Sequence, residues 1–552
     1  MTCNEKIVSG KYTWINYNTF QYRKNVEQNP AISRITIQEE ENAHNYKVME
    51  FDGKFVRSDE NLQTVHLMNF LNNKNIFERL DETKDRENII RKIDTLFKTW
   101  VMKICSKQGL AESTSNQVGG IALPLGSYMF GSQDEETDLD ILCLAPVYVS
   151  RTHFFTSFKE ELAKFPGIKH LNAIETAFVP IIKLVVNDVQ IDLLFARLQY
   201  CQIPDNFNLM DTSLIKQLDP KCIRSINGYK VTMDILNSVP NFETFKLTLK
   251  AVKFWARQRF LYCHVIGFLG GISWTILVGR ICQLYPNANM SMLILKFFEI
   301  TSLWRWPSPF QLLQTPNIVS GYRGWNPHVN PLDALHLLPI ITPTYPQQNT
   351  CVHVSTSTKS IIMEELNRGC VIVKSIMRGE TTWDNLYEPM DFFGKYNHFL
   401  LFKTSAKTPD DHLEWNSLFR SKIRLLTDIL QTCPMVEIVH PLSKCYNFGD
   451  TQSSWFVGVK LVNYDKLYID LDVFTRRFIR TVINLAIICG KYKDGMVVMS
   501  VYVSGEDVLF HLPLDAVQFE EKHKRKRRES ETEYLNCKKV NKIDELCLTQ
   551  SV

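Results

Sequence analysis

The sequence predicts an α+β protein of several domains, on three observations. Asp138 to Leu144 reads as a strand, and Val179 to Phe195 as a β-hairpin turning at Asn187-Asp188. From about residue 201 the apolar spacing turns helical. Beyond about residue 366, strand-like stretches return around a helical one, as in a small α+β unit. A chain of 552 residues has room for roughly three or four such units.

Composition narrows the class. Hydrophobic residues make up 45% and charged residues 22%, the balance of a globular chain with ample core. A net charge of +4 is too small to point to nucleic acid by itself. No apolar run reaches the length of a membrane span, and the N-terminus lacks a basic-then-apolar signal pattern. An intracellular protein without membrane association is expected. The 14 cysteines include no C-x-x-C pair, which argues against a zinc site and a secreted disulfide scaffold.

Taken in order, residues 1–45 are polar and aperiodic, and a mobile extension is expected. Asn61 to Phe70 is helix-like. Asp85 to Lys107 is more strongly so, with Ile89, Ile93, Leu96, Trp100, Val101 and Ile104 near helical spacing and Gly109 at the exit. Then comes Leu125 to Cys143, which opens with Gly126-Ser127 and closes with Asp138-x-Asp140 entering an apolar run. Strand alternation puts Asp138 and Asp140 on one face. Such a pair can be hard oxygen ligands for Mg²⁺, or two solvated surface carboxylates, and the pair alone leaves both readings open. Asp192, inside the second hairpin strand, is either a residue on an exposed face or a third ligand.

Glu243 to Phe260 carries Lys246, Lys250, Lys253 and Arg257 on one helical stripe. That stripe is a wet face or the wall of a cleft for polyanion. Gly270-Gly271 before a helix-like run allows close backbone approach to a ligand, or simply a tight turn. Trp304 to Tyr345, rich in Pro and Trp, is expected as ordered loops. A new unit with β-like segments is expected from near Leu366. It holds strands at Asn397 to Phe402, Trp455 to Leu461 and Met496 to Val503, a helix at Trp415 to Leu430 with Lys422 and Arg424 exposed, and an end near Leu514. The tail carries Lys522, Lys524, Arg525, Lys526, Arg527 and Arg528, a nuclear-import address or a nucleic-acid patch in a disordered segment.

These parts suit one chemistry. Phosphoryl transfer from a nucleotide to a hydroxyl uses two divalent ions held by carboxylates, with a Gly-Ser turn and a basic helix on the triphosphate.

The sequence resembles the eukaryotic nuclear poly(A) polymerases of the DNA polymerase β-like nucleotidyltransferase superfamily. The matching words are Gly126-Ser127-Tyr128, Asp138-Leu-Asp140, Ile191-Asp-Leu-Leu-Phe-Ala-Arg-Leu198, Arg224-Ser-Ile-Asn-Gly228, Leu249-Lys-Ala-Val-Lys-Phe-Trp-Ala256, Gly267-Phe-Leu-Gly-Gly-Ile-Ser-Trp274, Gln283-Leu-Tyr-Pro-Asn287 and Pro339-Ile-Ile-Thr-Pro-Thr-Tyr-Pro-Gln-Gln-Asn349. The resemblance runs from about residue 50 to about 515. It implies an α+β fold of three domains: a nucleotidyltransferase palm at 85–200, a helical middle domain at 201–367 joined by helices at 46–84, and a ferredoxin-like, RRM-like RNA-binding domain at 368–515. A basic tail at 516–552 would follow.

The implied reaction is template-independent addition of AMP from ATP to an RNA 3′ end, with release of pyrophosphate. By the resemblance, Asp138, Asp140 and Asp192 hold two Mg²⁺ or Mn²⁺ ions. Leu125, Gly126, Ser127, Asn227, Lys253, Tyr262, Gly271 and Ile272 bind ATP beside them. The implied partners are ATP, the RNA 3′ end and protein factors of cleavage and polyadenylation. A monomer in the nucleus is expected. One departure stands out: Gln133-Asp134-Glu135-Glu136 is acidic where relatives carry small and basic residues. Negative charge there should weaken ATP binding, and no ATP contact is carried over to Asp134. Position 125 is Leu where Phe is common. Two other readings follow: a related transferase using UTP or CTP, and an RNA-binding protein with impaired ATP binding.

Overall fold

The computed structural model describes residues 57–522 except 116, 134–136, 314–321 and 463–469. The expected extension at 1–45, the acidic residues Asp134 to Glu136 and the basic residues Lys524 to Arg528 lie outside the described residues.

The described residues start with helices α1 (Arg57–Asn73) and α2 (Leu80–Lys107). Gly109 leaves α2 at φ +84°, where a residue without Cβ is unstrained. A five-stranded sheet follows: β1 (Ile121–Pro124), β2 (Leu139–Ala145), β3 (Ile168–Ile174), β4 (Ile181–Val186) and β5 (Val189–Arg197), in spatial order β1-β2-β5-β4-β3. The β4–β5 turn is Asn187-Asp188, both at positive φ (48° and 66°), as a two-residue hairpin turn requires. The β2–β5 pair is the sheet's parallel one. Ile89, Ile93, Phe97 and Trp100 of α2 share a core with the inner residues of β2, β4 and β5, so the helix covers one sheet face.

The next layer is helical: α3 (Pro220–Ser238), α4 (Phe242–Gln258), α5 (Gly271–Leu284), α6 (Met290–Leu303) and α7 (Thr356–Met377). Asp219, Asn241, Asn289 and Ser355 cap α3, α4, α6 and α7 through their side chains. Trp255 of α4 and Trp274 of α5 meet edge-to-face in this core, with centroids 5.9 Å apart. Helix α1 joins the same core through Leu67 and Leu71, and Thr64 hydrogen-bonds Ser291 of α6 at 2.9 Å.

A helix, rather than the start of a β-like unit, passes Leu366. Helix α7 runs unbroken to Met377, because its buried residues Ile361, Ile362, Leu366, Val373 and Ile376 recur at helical spacing. The boundary placed at 367/368 therefore falls inside α7.

The strands of the last unit begin at β6 (His398–Ser405), followed by α8 (Pro409–Leu430), β7 (Val436–Asn447), β8 (Gln452–Leu461), α9 (Asp472–Ile488) and β9 (Val497–Ser504). This βαββαβ chain forms an antiparallel sheet in order β9-β6-β8-β7, the ferredoxin-like arrangement. Lys422 and Arg424 of α8 are half-buried, not exposed, and Arg424 lies 3.7 Å from Asp428 on the next turn. The unit also continues past Leu514. Residues 514–522 are helical and bury Ala516 and Glu520, so 516–522 is ordered structure rather than the start of a disordered tail.

Candidate active site

Three acidic residues meet at one end of the first sheet. Parallel pairing puts Asp140 of β2 level with Asp192 of β5, and Asp138 immediately precedes β2. The hairpin register then sets Lys183 of β4 opposite Asp192. The Lys183 ammonium lies 2.8 and 2.9 Å from the two Asp192 oxygens and 3.6 Å from Asp138 Oδ2. Burial, then the charges of Asp192 and Asp138, push the Asp140 carboxyl up to about 7. Asp192 is raised by burial, against the lowering pull of Lys183.

Lys183 was not among the expected site residues, although the register names it. Counting back from the Asn187-Asp188 turn pairs residue 192 with 183. Among the described residues no three acidic, His or Cys side chains stand as a ready metal cage. The donor set nevertheless fits a divalent cation. It offers hard oxygens from three residues, and burial, then their crowding, already opposes ionisation of Asp140.

The turn after β1 approaches this cluster. Gly126 has φ +65°, and a Cβ there would lie 3.1 Å from Asp140 Oδ2. Its N–H donates to Thr232 Oγ1 of α3 at 3.0 Å. Ser127 is half-buried, and its carbonyl accepts the Ser132 N–H at 3.0 Å, closing the turn. Leu125 is buried against Gly228 of α3, where a Cβ would meet Leu125 Cδ1 at 2.9 Å. The preceding residue, Asn227, is buried with its Oδ1 lacking a hydrogen-bond partner. A buried carbonyl oxygen in that state is an acceptor site for a ligand donor.

Helix α4 supplies the facing wall. Its basic stripe is not a wet face, because Lys250 and Lys253 are buried. The Lys253 ammonium donates to Ser132 Oγ at 2.7 Å. Burial, and then the neighbouring Lys250 charge, bring Lys253 down to about 7. The Arg257 guanidinium stacks 4.7 Å from the Tyr262 ring. Gly271, the first residue of α5, lets the Tyr262 hydroxyl in: a Cβ would lie 2.7 Å from Tyr262 Oη and 3.9 Å from Lys253 Nζ. Ile272, next to it, is half-buried against the helical core.

A cleft of about 3290 Å³ joins these walls; Ser132, Asp138, Lys183, Asp192, Lys253 and Tyr262 all line it. The structure thus gathers Gly126, Asp138, Asp140 and Asp192 in one cluster and Lys253, Tyr262 and Gly271 in another. Leu125 and Asn227 stand behind the first cluster, along α3. Lys522 is exposed at the end of the last helix. Ser132 escaped the sequence reading, since nothing in its local pattern separates it from any loop serine.

Comparison with known proteins agrees over most of the chain. Residues 56–239 match the poly(A) polymerase nucleotidyltransferase domain, 244–389 the poly(A) polymerase central domain, and 391–455 the poly(A) polymerase predicted RNA binding domain. Poly(A) polymerase pla1 of Schizosaccharomyces pombe is 37% identical over 388 residues, which are 70% of this chain and 69% of that protein. The poly(A) polymerase of Dictyostelium discoideum is 36% identical over 407 residues, 72% of this chain but only 50% of that longer relative. The Cid1 poly(U) polymerase structure aligns at TM-score 0.37 and 15% identity over 56% of this chain and 94% of its own. That likeness is too weak to bear on fold or substrate. The chain belongs to the poly(A) polymerase family of nucleotidyltransferases, with nucleotidyltransferase, central and RNA-binding domains in that order.

Proposed function

We propose that this chain extends RNA 3′ ends with AMP taken from ATP, without a template. The observation that carries this reading is the level pairing of Asp140 with Asp192 beside Asp138, in one cleft with the buried Lys253. The RNA 3′-oxygen bonds to the α-phosphorus of ATP while the bond from that phosphorus to the bridging oxygen breaks. Pyrophosphate leaves, and the hydroxyl proton passes to solvent.

Family membership implies dependence on divalent metal. We assign two ions, Mg²⁺ or Mn²⁺, to Asp138, Asp140 and Asp192. When bound, they lower the pKa of the 3′-hydroxyl and neutralise charge on the phosphates. Lys183 must leave Asp192 for those oxygens to be free. Lys253 neutralises the triphosphate, which in turn restores its own charge. Gly126 and Ser127 offer backbone and hydroxyl to phosphate. Leu125 adjoins them, Asn227 serves the adenine and ribose end, and Tyr262, Gly271 and Ile272 close the opposite side.

The test is extension of an oligo(A) primer with Mg²⁺ or Mn²⁺ and each of the four nucleotides. ATP is expected to be incorporated by the wild type and not by Asp192→Ala. Preferred incorporation of UTP or CTP, or RNA binding with no incorporation, would overturn the reading. We also place the protein in the nucleus as a monomer that works with cleavage and polyadenylation factors. The support is the basic run from Lys522 to Arg528 and the family's chemistry. A reporter that stays nuclear after truncation just before Lys522 would remove the role given to that run.

A further inference from the structure

Glu78, just before α2, and Arg86, in its second turn, form a buried ion pair, Oε1 to Nε 2.8 Å, each side chain under a tenth exposed. A buried pair of this kind is weak evidence for stability, because desolvation offsets most of the Coulomb attraction. What the pair touches is more telling. Gln133 Nε2 donates to Glu78 Oε2 at 2.7 Å, and Arg86 Nη1 donates to the Thr137 carbonyl at 3.3 Å. Gln133 and Thr137, four positions apart in sequence, therefore hang from one ion pair. Thr83 Oγ1 braces Glu78 at 3.1 Å, and Lys250 of α4 donates to the Gln133 carbonyl at 3.4 Å while lying over the Phe77 ring.

Each of those two positions adjoins a site residue. Ser132, which precedes Gln133, accepts the Lys253 hydrogen bond on the phosphate side. Asp138, which follows Thr137, stands in the carboxylate cluster. We propose that the Glu78–Arg86 pair is a positioning element that sets the carboxylate side and the phosphate side of the site at a fixed separation. Arg86 governs the Asp138 end, Gln133 the Ser132–Lys253 end, and Glu78 both. A lateral error of about 1 Å at a reacting group costs on the order of 100-fold in rate, so such a brace has a kinetic signature.

This inference rests on the nucleotidyltransferase reading, and its test separates the two. In the full-length protein, Mn²⁺ binding without RNA, kcat and KM for ATP in primer extension, and thermal stability are measured for four variants. Arg86→Met is expected to weaken Mn²⁺ binding and lower kcat roughly 10–100-fold, with KM for ATP nearly unchanged. Gln133→Ala is expected to raise KM for ATP while Mn²⁺ binding holds. Glu78→Gln is expected to move both, and Arg86→Lys, a single ammonium, to fall between Arg86→Met and wild type. If Arg86→Met does not fold, Glu78→Gln and Arg86→Lys carry the comparison. Wild-type Mn²⁺ binding and kcat in Arg86→Met, or changes in all four variants that merely track loss of stability, overturn the inference. A wild type that binds Mn²⁺ but extends nothing overturns the function instead, and the binding data still judge the brace.

Discussion

Asp140 and Asp192 stand level across the parallel strands β2 and β5, two carboxylates in one row with Asp138 beside them. Burial and this mutual repulsion raise Asp140 to about 7. A raised carboxyl pKa means that ionisation works against the fold, with the penalty fully present above about pH 7 in the metal-free protein. Asp140→Asn should therefore raise metal-free stability at pH 8 by ~1–4 kcal/mol. It should also abolish extension and remove the stabilisation given by Mn²⁺. Urea unfolding with and without Mn²⁺ checks all but the activity, and a destabilised Asp140→Asn protein would contradict the account.

Lys253 gives a pH signature of its own. Its pKa is lowered from 10.5 to about 7, so the folded protein binds fewer protons there than the unfolded chain between those values. Stability then rises with pH across that window, and the cost of the buried charge is fully present below pH 7. Lys253→Met should raise the melting temperature more at pH 6 than at pH 10.

On the proposed site, the same lysine would link ATP to protons. A triphosphate beside Lys253 favours its charged form, so binding at pH 8 should take up on the order of one proton, and binding at pH 6 far less. Calorimetry in buffers of different ionisation enthalpy reads this directly. Equal uptake by wild type and Lys253→Met would place the proton elsewhere.

Gly271 and Tyr262 form a testable pair. A methyl group at 271 would press on the Tyr262 hydroxyl, which lies 2.7 Å from the Cβ position. Gly271→Ala should therefore raise KM for ATP several-fold while the helix persists, since Ala suits a helix start better than Gly. In a Tyr262→Phe background the hydroxyl is gone, and the same change should cost much less. Equal costs in both backgrounds would rule out the contact as the cause.

The end of α4 is tied to α7 by a buried bidentate pair. Arg259 Nε and Nη2 each donate to Glu365 at 2.8 Å, and Nη1 donates to the Glu388 carbonyl at 2.8 Å. Removing one partner leaves a buried charge, so Glu365→Ala should cost about 3–5 kcal/mol. The apolar pair Arg259→Met with Glu365→Leu should sit closer to wild type. Denaturant midpoints settle the comparison, and a single variant as stable as the double would refute the pairing energy.

Much of this was legible in the chain. Alternation around Asp138 and Asp140, a two-residue turn at Asn187-Asp188 and the stripe from Lys246 to Arg257 each report local geometry. Strand and helix periods fix that geometry over a few residues. Lys183 too follows from the hairpin register, which pairs it with Asp192. Position 366 misled because a buried helix and a buried strand present similar short apolar runs.

By itself, then, the sequence determined most of the order of elements, Asp140 and Asp192 on their strands with Asp138 just ahead of the first, and the family words that name the chemistry. Tertiary structure alone decided which strand lies beside β2, and hence that Asp192 stands level with Asp140. It also decided that the basic stripe of α4 faces inward, so that burial lowers Lys253, and that Ser132, Glu78 and Arg86 line the same cleft. The reason is physical. Register across a parallel pair and the burial of a helix face depend on contacts between residues tens of positions apart, and no local period in the chain encodes them.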